Sequence, residues 1–537
     1  MSSVNATALA RKSWSRAIKT VTVTVAAVVI GVSVGMVVLP ERGAVYAVPQ
    51  TSGLAAPVAV PVVLVARDAG PADPAPVSLP LPMDSLLTDA RPLDAPSYGG
   101  DGPASVAALE AAVDAPSPPP GPLAQATPPT SAGANPTILG PGVAVQGVSE
   151  REIRFGMAGP FSGPSRQLGA QMRVGIETAF RVANDAGGVN GRKLVLAVAD
   201  DGYDPARTQE AMRQLLEKDQ VFGFIGNVGT PTAAVALPIV LSRRMLFFGA
   251  FTGTSLLRGN PPDHTVFNFR AGYAEETAAT VRYLVQTRRL RPDQIAVFAQ
   301  QDGYGDAGFD GIAKAVRQLR QAGGGAGAEP GRGSAADAGL VTLRMNYRRN
   351  SVDVDEAVAQ LALYQKKHAT NPIRAVVMVS TYRAAAKFVE RTLDQVPGLI
   401  YTNLSFVGSS SLAEELTVLG PRFAQGVIVT QVVPSIDSHA RVVLDYKAAL
   451  AKYAPSENAD FVSFEGYLSA TLLVEGLKRA GPALDTGRLV DTLEGLRDVD
   501  LGLGTPVGFT RSEHQALHRV WGTQIDAKGK FLPLDLE

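Results

Sequence analysis

The segment VFGFIGNVGTPT, residues 221–232, decides how the rest of the chain is interpreted. Residues 221–225 are a short apolar run bounded by glycine, which is typical of a buried strand. Thr230 is a good N-cap and Pro231 suits a first helical turn, so a helix is predicted from there to about residue 243. The N–H groups at such a helix start would face the carboxyl end of a parallel strand, where a carboxylate can bind. An ordinary strand-to-helix turn has the same pattern, so this segment alone leaves both interpretations open.

The composition excludes several classes of function. The chain has 537 residues, enough for several domains, and a formal net charge of zero, so no nucleic-acid partner is predicted. It has no cysteine, which excludes disulfides, thiol catalysis and Cys-ligated metals. His514 and His518 have helical spacing but no accompanying acidic cluster, so we predict no metal site and no cofactor. Because no catalytic motif of the nucleophile-elbow, zinc-peptidase or phosphate-loop type occurs, the chain is not predicted to be an enzyme.

Residues 1–47 have the features of an export signal. The residues before position 20 include basic side chains and no acidic one, and residues 20–40 are almost wholly apolar. About twenty helical residues span a bilayer core, and the basic flank predicts a cytoplasmic N-terminus. The small residues before Val48 predict signal cleavage after Ala47. An uncleaved anchor through residues 20–40 is the alternative, and it would place the protein on the membrane instead of free in the periplasm.

Residues 48–148 have a different composition. They hold 20 of the 38 prolines, together with alanine, glycine, serine and mostly acidic charges. Such a segment cannot bury enough apolar surface to fold, so we predict a disordered linker. It would hold the following domain away from a membrane, although a dispensable extension would have the same composition.

From about residue 150 onward, strand and helix patterns alternate. This alternation predicts βαβ units and mostly parallel sheets. Two such runs within about 390 residues predict two similar α/β lobes with a cleft between them.

Six segments of this region resemble, in the family's order, the periplasmic substrate-binding proteins of ABC transporters, specifically the branched-chain amino-acid/amide type. They are FGMAGPFSGP (155–164), GGVNGRK (187–193), DDGYDP (200–205), IGNVGTPT (225–232), QDGYGD (301–306) and EGY (465–467). Each segment alone is a weak signal, but six in register are specific. The resemblance covers residue 150 to the C-terminus and does not extend to residues 1–148.

The resemblance implies a type I Venus-flytrap fold within a domain of residues 149–537. The first lobe would comprise residues 150–270 and 434–509, and the second residues 273–430 and 512–537. The chain would cross between the lobes near residues 269–273, 431–434 and 509–511. A small ligand would bind between the lobes and be delivered to an ABC transporter permease.

The resemblance also implies a set of ligand-binding residues. Thr230 matches the family's hydroxyl residue at the helix after the third strand. Ala250, Phe251 and Thr252 match the segment after the fourth strand, where a second helix start is predicted. In the second lobe, Tyr304 and Tyr382 match the tyrosines that lie against the ligand. The helix starts would together hold a ligand carboxylate through N–H and hydroxyl groups.

Two departures from the family pattern affect the expected ligand. Ser410 stands where branched-chain amino-acid binders have the glutamate that holds the ligand's ammonium, and a serine cannot supply that charge. Leu168 aligns with the family's first-loop tyrosine. An amino acid, an amide, and an aromatic or other organic acid therefore all stay open as ligands. Asp302 and Glu465 are candidate replacements for the missing acid, although either is equally compatible with a structural role.

The sequence therefore predicts an exported solute-binding protein that captures a small polar or carboxylate-bearing ligand. The alternative is a membrane-tethered receptor domain that reports a ligand to a protein partner. The apolar stretch and the linker favour this alternative, and the lack of a recognisable cytoplasmic signalling domain opposes it. Retention or cleavage of residues 1–47 would help to distinguish the two.

Overall fold

The computed structural model describes residues 33–38, 45–50, 145–322 and 343–536 of the chain, which divides into two compact units, residues 1–128 and 129–537. In the first unit, β1 (Ser33–Val38) pairs antiparallel with β2 (Val45–Gln50). The six described residues of the predicted spanning helix thus form a strand, which their β-branched valines favour. The other residues of the predicted spanning segment, 20–32 and 39–40, lie outside the described residues. So does the predicted linker, except for residues 48–50 and 145–148. None of the described helices is both long and apolar enough to cross a membrane.

The second unit contains two sheets. The strands of the first sheet are β3 (Glu152–Gly159), β4 (Lys193–Asp200), β5 (Gly223–Ile225), β6 (Leu246–Phe248) and β7 (Val266–Phe267). They are all parallel, in the order β4-β3-β5-β6-β7. Apolar strand residues such as Phe155 and Phe224 are fully buried, as expected of a sheet covered on both faces.

The second sheet has seven strands. They are β8 (Ile295–Gln300), β9 (Arg344–Tyr347), β10 (Ala375–Val379), β11 (Ile400–Asn403), β12 (Ile428–Gln431), β13 (Trp521–Ile525) and β14 (Phe531–Leu534). Their order is β14-β13-β12-β11-β10-β8-β9, and only the pairs that involve β13 are antiparallel. The predicted α/β class with mostly parallel sheets is therefore confirmed.

Helices connect and cover the strands. They are α1 (Arg166–Asp185), α2 (Pro205–Arg213), α3 (Thr230–Ser242), α4 (Tyr273–Arg282), α5 (Gly303–Ala322), α6 (Asp355–Lys367), α7 (Tyr382–Thr392), α8 (Ser409–Leu419), α9 (Pro421–Ala424), α10 (Arg441–Tyr453), α11 (Phe461–Ala480) and α12 (Thr486–Glu494). The contact between α1 and α11 depends on two glycines. A Cβ at Gly175 would lie 1.9 Å from the Ser463 carbonyl oxygen, and one at Gly466 would lie 2.6 Å from the Met172 carbonyl oxygen. Helix α11 therefore packs closely against α1, although it comes much later in the chain.

The chain crosses three times from one sheet, with the helices that pack on it, to the other. It leaves the first sheet after β7, returns to α1 through α10 and α11 after β12, and rejoins the second sheet at β13. The predicted crossings lie in these connections. The lobe boundaries stay a prediction. The strands of the first sheet lie within the residues predicted for the first lobe, and the strands of the second sheet lie within those predicted for the second lobe, except that β12 ends one residue beyond residue 430.

Candidate functional site

The helix α3 begins one residue earlier than the sequence predicts, so the prediction that Thr230 is the N-cap is wrong. The N-cap is Gly229, with φ 103°, and Thr230 is the first helical residue. A Cβ at Gly229 would lie 2.3 Å from the Tyr203 ring, so only glycine fits this turn. Because Thr230 does not cap the helix, its hydroxyl is free to reach the Thr252 hydroxyl, 2.8 Å away.

The segment after β6 is only in part what the sequence predicts. The second helix start is a three-residue 3₁₀ turn, Ser255–Leu257, capped by the Thr254 hydroxyl. It is too short to add a helix dipole to that of α3. The Thr252 hydroxyl instead lies 3.2 Å from the Tyr273 hydroxyl. Thr230, Thr252 and Tyr273 therefore form a buried row of hydroxyl groups.

The two residues before Thr252 face opposite sides of the sheet. The Ala250 side chain is buried in a secondary apolar cluster with Phe224 and Phe247. Its carbonyl accepts from the Thr252 N–H at 2.8 Å. Phe251 lies in the main core and stacks on Phe406, which follows a strand of the second sheet. Of the two, only Phe251 contributes a side chain to the candidate site.

Five aromatic rings adjoin the hydroxyl row, and we call them the aromatic cluster. They are Tyr203, Phe251, Tyr273, Tyr304 and Phe406. Tyr203 and Phe251 follow strands of the first sheet, whereas Tyr304 and Phe406 follow strands of the second. The Tyr304 hydroxyl is buried and has no hydrogen-bond partner among the described residues. The aromatic cluster thus lies between the carboxyl ends of the two sheets, and it contains the unpaired Tyr304 hydroxyl.

Tyr382 and Ser410 lie in a second group of contacts between the two layers. The Tyr382 hydroxyl donates to the Pro164 carbonyl at 2.5 Å. A Cβ at Gly408, two residues before Ser410, would lie 2.6 Å from the Leu168 side chain and 3.6 Å from the Tyr382 ring. The Ser410 hydroxyl oxygen is buried with no hydrogen bond within 3.5 Å among the described residues, but it faces the buried Asp460 carboxylate: burial raises the pKa of Asp460, and the Ser410 hydroxyl opposes that rise. A small open cavity beside Tyr382 is lined by Arg166 and Arg383 as well as by Glu414 and Glu415.

A fully buried arginine, which the sequence analysis did not single out, lies next to the aromatic cluster. Arg270 is 0% exposed, and its guanidinium lies 5.0 Å from the centre of the Phe251 ring. Its Nη2 donates to Glu276 at 3.0 Å and to the Ser405 hydroxyl. Its Nη1 lies 3.5 Å from Glu465, whereas Nε and Nη1 make no hydrogen bond. A charge at the carboxyl end of β7, in the run VFNFR at 266–270, is the signal that could have identified it.

Both candidate replacements for the missing acid are engaged by arginines. Glu465 pairs with Arg270, and burial raises the pKa of Glu465 to about 7 although Arg270 opposes that shift. Asp302 pairs with Arg349 at 3.0 Å and accepts from the Tyr304 N–H at 3.0 Å. These contacts favour the structural role for both residues.

The acidic turn after β4 organises two loops of the first sheet. Asp200 accepts from the N–H groups of Phe161, Ser162 and Gly202 and from the Ser162 hydroxyl. Burial raises the pKa of Asp200, but these hydrogen bonds and Arg207 outweigh it and lower the pKa to about 2. The carboxylate is therefore a structural element of the turn.

The neighbouring carboxyl, Asp201, predicts a pH dependence of stability. Burial raises the pKa of Asp201 to about 6, although the Tyr203 N–H and the Thr208 hydroxyl donate to it. The folded state therefore binds this proton more tightly than the unfolded state, and that stabilisation is lost as the pH rises through about 6. Between about pH 5 and about pH 7.5, the wild type should lose about 1 kcal/mol relative to Asp201→Asn in urea unfolding.

A matched exposed carboxyl provides the control for this prediction. Asp437 is exposed, so Asp437→Asn should change the stability equally at both pH values. A stability difference between wild type and Asp201→Asn that stays constant with pH would contradict a raised pKa at Asp201.

The two histidines near the C-terminus make separate contacts. The His514 ring stacks on Phe267 at 4.0 Å, and its Nδ1 lies 2.9 Å from the Val266 carbonyl. His518 lies 2.7 Å from Glu275. Within residues 145–322 and 343–536, no group of three or more acidic or histidine side chains is arranged to hold a metal ion.

Comparison with known proteins assigns the chain to a family. The family profile described as "Periplasmic binding protein" matches residues 152–530. The chain therefore belongs to the periplasmic binding protein family. Among curated relatives, the Leu/Ile/Val-binding protein homolog 3 of Brucella melitensis is 25% identical over 360 residues, which are 66% of this chain and 86% of that protein. The resemblance to the branched-chain amino-acid type is thus confirmed.

Solved structures support the same fold. A possible leucine/isoleucine/valine-binding protein from Rhodopirellula baltica is 35% identical, with a TM-score of 0.65, and the match covers 73% of this chain and 98% of that one. A branched-chain amino-acid ABC transporter protein from Thermus thermophilus with bound valine has a TM-score of 0.59 at 17% identity, over 72% and 96% of the two chains. The α/β architecture is therefore the type I periplasmic-binding fold.

Proposed function

We propose that this chain is an exported solute-binding protein that captures a small polar or carboxylate-bearing ligand for an ABC transporter. The observation that carries the proposal is the buried hydroxyl row at the start of α3, next to aromatic rings that come from both sheets. Groups from both layers can then contact one ligand, so binding favours the closed arrangement of the lobes.

The polar end of the ligand would lie at Thr230 and Thr252. The first N–H groups of α3 have no acceptor within the helix, and the helix dipole favours a negative charge there. Tyr304 and Tyr382 would contact the ligand from the second lobe, and the Phe251 side chain and the Ala250 backbone from the first. No carboxylate stands at Ser410, so a ligand without an ammonium group is favoured over a branched-chain amino acid.

The relatives and the predicted export signal support the location and the partner. The named relatives are binding proteins of a periplasmic family. We therefore place the protein in the periplasm, with a permease of the ABC type as its partner. A membrane tether through residues 20–40 stays a prediction.

A thermal-shift screen of the full chain tests the proposal. The panel would contain amino acids, amides, urea, aromatic acids and dicarboxylates, with calorimetry on every hit. A ligand at a hundredfold its dissociation constant should stabilise the protein by about 2.7 kcal/mol. Thr230→Ala should weaken the binding about tenfold to a hundredfold, because it removes one hydrogen bond to a charged or polar head group.

Thr178→Ala is the matched control. Thr178 is equally buried, but its hydroxyl donates to the Val174 carbonyl within α1, away from the hydroxyl row. Equal loss of affinity in both variants, or no stabilisation of a folded sample by any solute, would contradict the proposed function.

A further inference from the structure

We propose that Phe406 is the specificity-determining residue of the cleft, where its ring takes the place of a ligand's apolar side chain. The inference rests on the proposed function, because only a cleft that binds a solute has a specificity to set. It narrows the ligand class to small carboxylates and amides that carry no branched or aromatic side chain.

Phe406 is a buried residue that lies in a short turn and not in a strand or an α-helix. It lies in a 3₁₀ turn, Ser405–Val407, that follows β11 at the carboxyl end of the second sheet. It is 0% exposed although this turn lies between the two layers. The ring is therefore buried by residues of both layers.

The neighbours of this ring are the other four members of the aromatic cluster. Its centroid lies 5.1 Å from Phe251 in a stacked arrangement and 4.7 Å from Tyr304. Tyr203 and Tyr273 lie at 6.1 Å and 6.3 Å. Because these separations are those of directly packed rings, Phe406 fills the apolar space that the other four enclose.

The same space adjoins the polar groups that would hold a ligand head. Tyr273 belongs to the hydroxyl row as well as to the aromatic cluster, and Phe251 precedes Thr252 directly in the chain. A ligand with its head at Thr230 and Thr252 would therefore direct any side chain toward the ring of Phe406. Phe406 leaves no place there for a leucine or phenylalanine side chain.

Unsatisfied donors near the ring indicate what the ligand must supply. The Tyr304 hydroxyl and the Nε of Arg270 are buried without hydrogen-bond partners among the described residues, and the Nη1 of Arg270 has only the ion-pair contact with Glu465 at 3.5 Å. Buried donors in native proteins nearly always have acceptors. A carboxylate or an amide carbonyl provides such an acceptor without needing apolar space.

Shortening Phe406 tests the inference in the full chain. Phe406→Ala should leave a cavity enclosed by aromatic rings and next to polar donors, which suits benzoate. Calorimetry should show benzoate binding to the variant with a dissociation constant of ~1 mM or below, at least about tenfold tighter than to the wild type. Adding Tyr304→Phe should weaken that binding about tenfold, which would locate the benzoate in the cleft.

Two further variants keep the test decisive. Phe388→Ala makes the same truncation within the core of the second sheet, where Phe388 stacks on Phe298 at 4.2 Å, and it should not gain benzoate binding. Phe406→Leu is a smaller truncation for the case in which Phe406→Ala fails to fold, and it should show a smaller gain.

Different results would overturn the inference about Phe406 and the proposed function. If the wild type binds small carboxylates or amides but neither Phe406 variant gains benzoate binding, the inference is overturned and the proposed function stands. Tight binding of leucine or benzoate to the wild type would also overturn the inference alone. If no variant and no wild-type sample binds any solute, the proposed function fails and the inference fails with it.

Discussion

Replacing Arg270 by methionine is expected to lower the free energy of unfolding by about 3–5 kcal/mol. The guanidinium is 0% exposed, donates to Glu276 at 3.0 Å and lies 3.5 Å from Glu465. Methionine keeps much of the chain length but removes the charge, so Glu276 is left buried without a counter-ion and Glu465 loses the cation that opposes the rise of its pKa. Urea unfolding of the full chain near neutral pH, followed by circular dichroism, measures the loss.

Two comparisons isolate the buried charge as the cause. Arg422 and Asp394 form an exposed pair at 2.8 Å, with side chains 61% and 66% exposed, so Arg422→Met should cost less than about 1 kcal/mol. The double variant Arg270→Met with Glu276→Gln should regain part of the loss, because the unpaired charge at Glu276 is removed. If Arg270→Met costs no more than Arg422→Met, the buried pair does not stabilise the fold.

The alternation of strands and helices was predictable because it depends on local patterns. The apolar runs before Gly226 and Gly249 are strands of one parallel sheet, as their length and glycine boundaries indicate. The start of α3 was predicted one residue too late, because Gly229 and not Thr230 is the N-cap. The Tyr203 ring, from a distant segment, leaves no room for a Cβ at Gly229. The predicted helix start after β6 is instead a three-residue 3₁₀ turn, and the described part of the predicted membrane helix is a strand.

The part of the site that could be predicted follows from parallel-sheet geometry. Thr230, Phe251 and Thr252 come after neighbouring strands, and the carboxyl ends of parallel strands meet at one edge. Arg270 follows β7 at the same edge, so its charge there could have identified it. Phe406 could not be chosen in the same way, because its partners Tyr203, Phe251 and Tyr304 lie far away in the chain. A phenylalanine in an apolar run has the same pattern whether it packs in a core or fills a cleft. Only the tertiary contacts distinguish these cases.

The last prediction concerns the carboxyl that faces Arg270. Burial raises the pKa of Glu465 from its ordinary 4.5 to about 7, and Glu276 adds to the rise while Arg270 opposes it. A carboxyl with a raised folded pKa stabilises the fold when protonated. That stabilisation is complete below about pH 4.5 and is lost as the pH rises through about 7. The wild type should therefore lose roughly 2–3 kcal/mol relative to Glu465→Gln between about pH 5 and about pH 8.

The variant and its control make the sign of this effect testable. Glutamine resembles the protonated glutamate, so Glu465→Gln should be close to the wild type in stability near pH 5 and more stable than it near pH 8. Glu475 forms a partly exposed pair with Arg479 at 2.7 Å on the same helix, so Glu475→Gln should show no such crossover. A Glu465→Gln variant that is less stable than the wild type near pH 8 would mean that the Arg270–Glu465 attraction exceeds the cost of burying the Glu465 charge. The cleft would then contain a permanent ion pair and not a titrating carboxyl.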